Sequence, residues 1–240
     1  MKLSHRTRRI ISVLAILTLA GIWLAVNPTS YESNPIPTEQ ATDSQKTTSE
    51  QNLDSNQGQT KLAKDVLEQL EIKGRAPKTG YARTEFYKSW PNVDGCSLRQ
   101  IIIKRELGDS AVLDGCDVIS GTFTEPYTGS VMTFYQKSDI SKKIQIDHIV
   151  ALSDAWQKGA QQWDEETRRN FANDPRNLRA VKGRLNAQKG AGDAATWLPP
   201  QRQHRCEYAR DIIDVKSEYG LWVTPAEKDA LHTQLSTCTN

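Results

Sequence analysis

The chain has 240 residues, 25% charged and 37% hydrophobic, with 31 basic against 29 acidic side chains. That length leaves room for one or two domains, and a net charge of +2 excludes both a strongly basic nucleic-acid coat protein and an acidic disordered chain. Fourteen glycines and ten prolines without a period exclude a collagen-like repeat.

Lys2, Arg6, Arg8 and Arg9 precede an uncharged run from Ile10 to Val26. A basic stretch followed by an apolar one predicts a signal peptide or signal anchor over residues 1–26. Seventeen residues sit at the short limit for crossing ~30 Å of hydrocarbon, and Ala25-Val26-Asn27 is a poor cleavage site, so cleavage and retention both stay open. Either way the remainder is exported, and any membrane contact is confined to this segment. Residues 27–60 are rich in Ser, Thr, Gln, Asn and Pro and cannot bury enough surface to offset their ordering entropy, which predicts a disordered linker. The folded domain is expected over residues 61–240.

Within it, Leu62, Val66, Leu67 and Leu70 give Lys61 to Ile72 a helical spacing that ends before Gly74. Leu98 to Leu107 holds Ile101, Ile102 and Ile103, and its period does not separate helix from strand. Val131 to Tyr135 and Lys143 to Val150 read as strands joined by a polar turn. Ser153 to Ala160 and Asp164 to Phe171 read as helices, Asn177 to Val181 as extended chain and Arg184 to Lys189 as a short helix. Arg202 to Tyr219 has a helical period closed by Gly220, and Thr224-Pro225-Ala226-Glu227 is a helix start with an N-cap, a first-turn Pro and an N3 Glu. These elements predict an α+β domain with a small sheet. Trp156, Trp163, Trp197 and Trp222 fall in helix or turn contexts and are assigned to packing.

Cys96, Cys116, Cys206 and Cys238 lack the Cys-x-x-Cys spacing of a zinc site. Outside the cytosol they should oxidise; three connectivities are possible, and Cys96–Cys116 with Cys206–Cys238 is the most economical.

The chemistry concentrates between Asp147 and Lys189. His204 and His232 sit on predicted helices without an adjacent carboxylate and read as surface or capping residues. His148 instead follows Asp147 at the end of the apolar strand Ile144-Gln145-Ile146, where an ionisable pair costs solvation unless a metal or partner uses it. Asn186 comes nine residues after Asn177, and Lys189 three after that. Asp147 and Asn186 are oxygen ligands of the kind Mg²⁺ or Mn²⁺ takes. Neutral His148 could then take a proton from water while Asn177 holds the imidazole by a hydrogen bond. Asp147 and His148 point to opposite faces of an ideal strand, so they meet one centre only if the strand ends there.

Asp147-His148-Ile149-Val150, Asn177-Leu178, Asn186 and Lys189 resemble, in identity and spacing, the HNH signature of ββα-metal endonucleases. Together with Tyr81, Ser97-Leu98-Arg99, Ser120-Gly121-Thr122-Phe123, Pro126-Tyr127-Thr128-Gly129 and the run from Asp193 to Pro200, they make the chain similar to exported HNH-family proteins. Those are related to the C-terminal nuclease domain of GmrSD-type restriction enzymes. The resemblance implies a small antiparallel sheet with helices containing a ββα-metal motif. It further implies His148 as general base, Asp147 and Asn186 as ligands of one Mg²⁺ or Mn²⁺, Asn177 positioning the base and Lys189 touching phosphate. Asn186 stands where many members have His, which favours those hard ions over Zn²⁺.

Between Arg168 and Arg210 ten Lys or Arg face three acids, a local excess of +7 that would attract a phosphate backbone. Arg179, Arg184 and Lys189 have the best claim to substrate. No Gly-x-Ser-x-Gly or His-Glu-x-x-His occurs, which counts against a serine hydrolase and a zincin. The expectation is an exported HNH endonuclease acting on double-stranded DNA; the alternative is a non-catalytic exported binding module whose Asp147 and Asn186 hold a structural Ca²⁺.

Overall fold

The computed structural model describes residues 58–238. The signal segment 1–26 and residues 27–57 of the expected linker lie outside the described residues, whereas 58–60 are already helical. Among the described residues no helix is long and apolar enough to cross a membrane.

Helix α1 (58–69) buries Ala63 and Leu67 on one face. After it, Ile72 forms a parallel bridge with Val223. A short antiparallel pair, β1 (Asn92–Val93) and β2 (Cys96–Ser97), leads into α2 (Leu98–Leu107). Leu98, Ile102, Ile103 and Leu107 are all buried, which settles the isoleucine run as a helix: the apolar face follows the helical turn once the sheet beside it is in place.

A three-stranded antiparallel sheet follows, in the order β3 (Val112–Asp114), β4 (Asp117–Thr124), β5 (Val131–Phe134). The expected hairpin between β5 and the next strand does not form. The polar stretch is helix α3 (Lys137–Lys143), whose one buried residue, Ile140, is too little to print a period on the sequence. β6 (Ile144–His148) pairs instead with β7 (Leu178–Lys182), antiparallel, with Ile144 opposite Lys182 and His148 opposite Leu178. Between these two strands run α4 (Leu152–Trp156) and α5 (Glu165–Asn173); after them come α6 (Gly183–Lys189), α7 (Arg205–Glu218) and α8 (Pro225–Ser236). Asp164 caps α5 by accepting from Thr167 N, and Thr224 caps α8 by accepting from Glu227 N. The fold is α+β, with small antiparallel sheets, helices and two disulfides, Cys96–Cys116 and Cys206–Cys238.

Two apolar cores meet at β6–β7. Ile144, Ile146, Leu178 and Ala180 pack with α2, α3 and the three-stranded sheet. Val181 and the residues just past β6, Ile149 and Val150, pack with α1, α4, α5, α7 and α8. Each fully buried aliphatic side chain contributes roughly 1.5–3 kcal/mol, so the end of β6 is pinned from both sides. Trp156 and Trp222 are buried, and Trp163 and Trp197 pack against the same core.

A buried charge cluster lies under α4. Lys158 Nζ reaches Asp154 at 2.7 Å, Asp193 at 2.8 Å and Glu227 at 2.6 Å. Lys216 Nζ reaches Glu227 at 3.0 Å and Asp154 at 3.4 Å. Arg75 closes the set from the edge, 2.9 Å from Asp154 and 2.6 Å from Asp193. Three cations thus meet three carboxylates, the condition for burying such groups at all.

Candidate functional site

β6 ends at His148, so Asp147 and His148 escape the strict alternation of a strand. Both line a cleft of about 270 Å³ together with Asn186 from α6. The other lining residues include Lys78, Tyr81 and Arg83 from the segment before β1, and Ser153 from α4. A larger cavity of about 730 Å³ lies between the start of α7 and the end of α8, with Arg202, Arg205 and Arg210 but no histidine in its lining.

The Asp147 carboxylate is buried and held at both oxygens. Lys189 Nζ donates to Oδ1 at 2.9 Å and Tyr127 Oη donates to Oδ2 at 2.5 Å. Burial and the adjacent Asp147 charge push the Tyr127 phenol well above its ordinary range, so it stays a donor. Each carboxylate oxygen keeps a further lone pair.

His148 is also buried. Its Nε2 lies 2.9 Å from the carbonyl oxygen of Ala172 in α5. A carbonyl only accepts, so Nε2 carries the proton and Nδ1 keeps a lone pair. Trp90 stacks on the ring at 6.0 Å and 13°, and Tyr87 lies 5.9 Å away. Burial drives the imidazole down to about 3; the Ala172 carbonyl opposes this, while Arg83 and Lys189 add to it. The ring is therefore neutral at neutral pH.

Asn186 Nδ2 donates to Gln145 Oε1 at 3.0 Å, which orients the amide. Gly190 ends α6 with φ +54° and its N–H on Asn186 O; this left-handed turn carries Gly190 and Ala191 along the cleft. Asp147 and Asn186 fit a hard divalent ion by the chemistry of their donors, both oxygen, in a region where no group of three His, Cys, Asp or Glu forms among the described residues.

Three other side chains expected in the site have different contacts. Asn177 does not bond the imidazole: its Oδ1 accepts from Val150 N at 2.8 Å and its Nδ2 faces Val150 O and Phe171 O at 3.4 Å. Its backbone carbonyl accepts from Ile149 N at 2.8 Å, so Asn177 fixes the chain immediately after His148. Lys189 is buried against Asp147, donates to the His148 carbonyl at 2.6 Å and does not line the cleft. A lysine near the end of a short helix can point either way, and the Asp147 charge decides it. Arg179 pairs with Glu207 at 3.0 Å and Asp211 at 2.7 Å. Arg176 likewise pairs with Asp174 at 2.7 Å and Glu218 at 3.1 Å, so acids that follow or interrupt the basic stretch spend much of its charge internally. Arg184 is exposed on α6 and does not line the cleft.

Tyr127, Lys78, Arg83 and Ser153 are cleft residues or direct partners that sequence reasoning gave no role. Only Tyr127 carried a signal, as part of Pro126-Tyr127-Thr128-Gly129.

A sequence model of the C-terminal domain of GmrSD restriction endonucleases matches residues 96–234. A protein of Arthroderma benhamiae described as "Uncharacterized secreted protein" is 38% identical over 180 residues, which covers 73% of this chain and 84% of that protein. No solved structure matches the chain.

Proposed function

The chain belongs to the family of the C-terminal domain of GmrSD restriction endonucleases, and on that premise we propose that it is an exported metal-dependent endonuclease that hydrolyses the phosphodiester bonds of double-stranded DNA. The observation that carries this reading is the meeting of Asp147, His148 and Asn186 in one cleft, on a strand–strand–helix unit of β6, β7 and α6. We read that unit as the ββα-metal motif of HNH nucleases.

His148 supplies the base. With Nε2 committed to Ala172, the neutral ring offers Nδ1 to the proton of an attacking water. Asn177 acts on it indirectly, through Ile149 and Val150. Asp147 and Asn186 would hold one Mg²⁺ or Mn²⁺, which would offset the negative charge gathering on the phosphate and leaving oxygen. Tyr127 and Lys189 fix the Asp147 carboxylate in place. Two such ligands are fewer than a structural Ca²⁺ cage uses, which disfavours the binding-module reading. Export is supported by the two disulfides, which persist in oxidising compartments, and by the description of the Arthroderma relative.

The test is plasmid nicking by the purified protein with Mg²⁺ or Mn²⁺. His148→Ala should abolish nicking. Because the buried ring stacks on Trp90 and bonds Ala172, the substitution should also cost roughly 2–4 kcal/mol of stability, so the two proteins are compared at a temperature where circular dichroism shows both folded. Equal activity in both proteins rejects the assignment.

A further inference from the structure

Lys78 and Arg83 lie ahead of the residues matched by the family, 96–234, yet they line the same cleft as Asp147, His148 and Asn186. The segment that carries them is built onto the domain. Ala76 N donates to Gln157 O at 2.9 Å, and Gln157 Nε2 donates back to Ala76 O at 3.0 Å. Trp156 Nε1 donates to Thr79 O at 3.2 Å, and Arg168 Nε to Glu85 O at 3.1 Å. Arg75 adds its two ion pairs with the charge cluster, so both ends of the segment are fastened.

Lys78 and Arg83 are the Lys or Arg residues in the cleft lining, and they differ from cations elsewhere in the domain that are spent on carboxylates. Lys158, Lys189, Lys216, Arg176 and Arg179 each face a carboxylate. Lys78 and Arg83 form no ion pair among the described residues; Lys78 Nζ sits 5.0 Å over the Tyr81 ring, and the Arg83 guanidinium 5.1 Å over the Tyr87 ring, bonded to its hydroxyl. An aromatic face holds a cation in place without neutralising it. A third group completes the set. Ser153 is 7% exposed and lines the same cleft, and its hydroxyl oxygen is buried with no hydrogen-bond partner. A buried polar atom in that state calls for a partner.

We propose that Lys78, Arg83 and Ser153 form a phosphate seat, which holds a backbone phosphodiester of the bound nucleic acid beside the one that is hydrolysed. The ligand class rests on the nuclease reading; the seat itself rests on two unneutralised cations and one unpartnered hydroxyl around a single opening. Arg83 supplies a planar fork suited to two phosphate oxygens, Lys78 a point charge and Ser153 a short-range donor. The seat replaces the role that the sequence suggested for Lys189 and Arg179, and its two cations belong to a segment that the matched family domain does not include.

The test separates binding from cleavage. The His148→Ala protein in chelator is titrated with a fluorescent DNA duplex between about 50 and 200 mM salt. Lys78→Gln/Arg83→Gln in that background should weaken binding about tenfold or more and flatten the slope of log K against log salt by roughly 2. Ser153→Ala should weaken binding without changing the slope. A charge-matched control, Lys61→Gln/Lys142→Gln, should stay within about twofold of the parent. An unchanged slope in the Lys78/Arg83 variant, a loss equal to that of the control, or no duplex binding by the parent overturns the seat. If the wild type fails to cleave with any divalent metal while the slope still flattens, the nuclease reading falls and the seat stands. If it cleaves and the slope does not move, the reverse holds.

Discussion

Lys189 Nζ lies 2.9 Å from Asp147 Oδ1, with both side chains closed off from water. An ion pair in that setting is worth little against an apolar replacement of both partners, but breaking it from one side strands a buried charge. Lys189→Met should therefore cost roughly 3–5 kcal/mol, read from denaturant unfolding. Because Lys189 faces Asp147 and the His148 carbonyl, the same variant should leave the salt dependence of DNA binding unchanged. A flattened slope would restore Lys189 as a phosphate contact.

Tyr127→Phe tests the other oxygen of Asp147. The ring packs edge-on to Trp197 and Tyr208, with centroids 5.0 and 5.6 Å away, so loss of the hydroxyl opens no large cavity. The stability loss should be about 1–3 kcal/mol, the cost of leaving an acceptor short of a donor. On the proposed mechanism more Mg²⁺ should be needed for half-maximal nicking. An unchanged metal titration would confine Tyr127 to a packing role.

Acid should unfasten the buried charge cluster. Burial alone would raise Asp193, but Lys158 and Arg75 outweigh it and hold the carboxylate at about 2. Asp154 is lowered in the same way, against its burial, by Lys216, Lys158 and Arg75. Because its folded-state value lies below the ordinary 3.8, the Asp193 contribution is complete above about pH 4 and is lost as pH falls towards 2. Asp193→Asn should remove about 1–2 kcal/mol of that acid-dependent stability. Melting temperatures of the two proteins from pH 7 to 2 should converge at the acid end; parallel curves would contradict the assignment.

Cys206–Cys238 closes a loop of 32 residues and joins α7 to the end of α8. In the loop-entropy model such a bridge contributes roughly 3–4 kcal/mol. Cys206→Ser/Cys238→Ser should lower the melting temperature by about 6–15 °C at this size. Since neither cysteine lines the cleft, nicking at low temperature should persist.

How much of this was readable in the sequence depends on how local each signal was. Asp147, His148 and Asn186 stood out because a strand end and a short helix brought them together within forty residues. Lys78 and Arg83 come from far upstream, and their place is set by Arg75, Trp156 and Gln157, none of which has a periodic signature. The β3–β4 pair was missed because Val112 and Leu113 are exposed, which erases the alternation that marks a strand. Glu227 was placed at the third position of α8, but its carboxylate goes to Lys158 and Lys216 instead of back to the N-cap. Sequence spacing located the residue and long-range charge chose its partner.

The fastening of Arg75 onto Asp154 and Asp193 bears on where this protein can be cut for expression. A fragment trimmed to the family span, 96–234, would lose the guanidinium that balances two interior carboxylates, the α1 face against the core, and one half of the Cys206–Cys238 bridge. It would also start at Cys96, after the last residue of the arm that borders the cleft. A stable fragment should therefore be longer than the recognisable domain and begin upstream of Arg75.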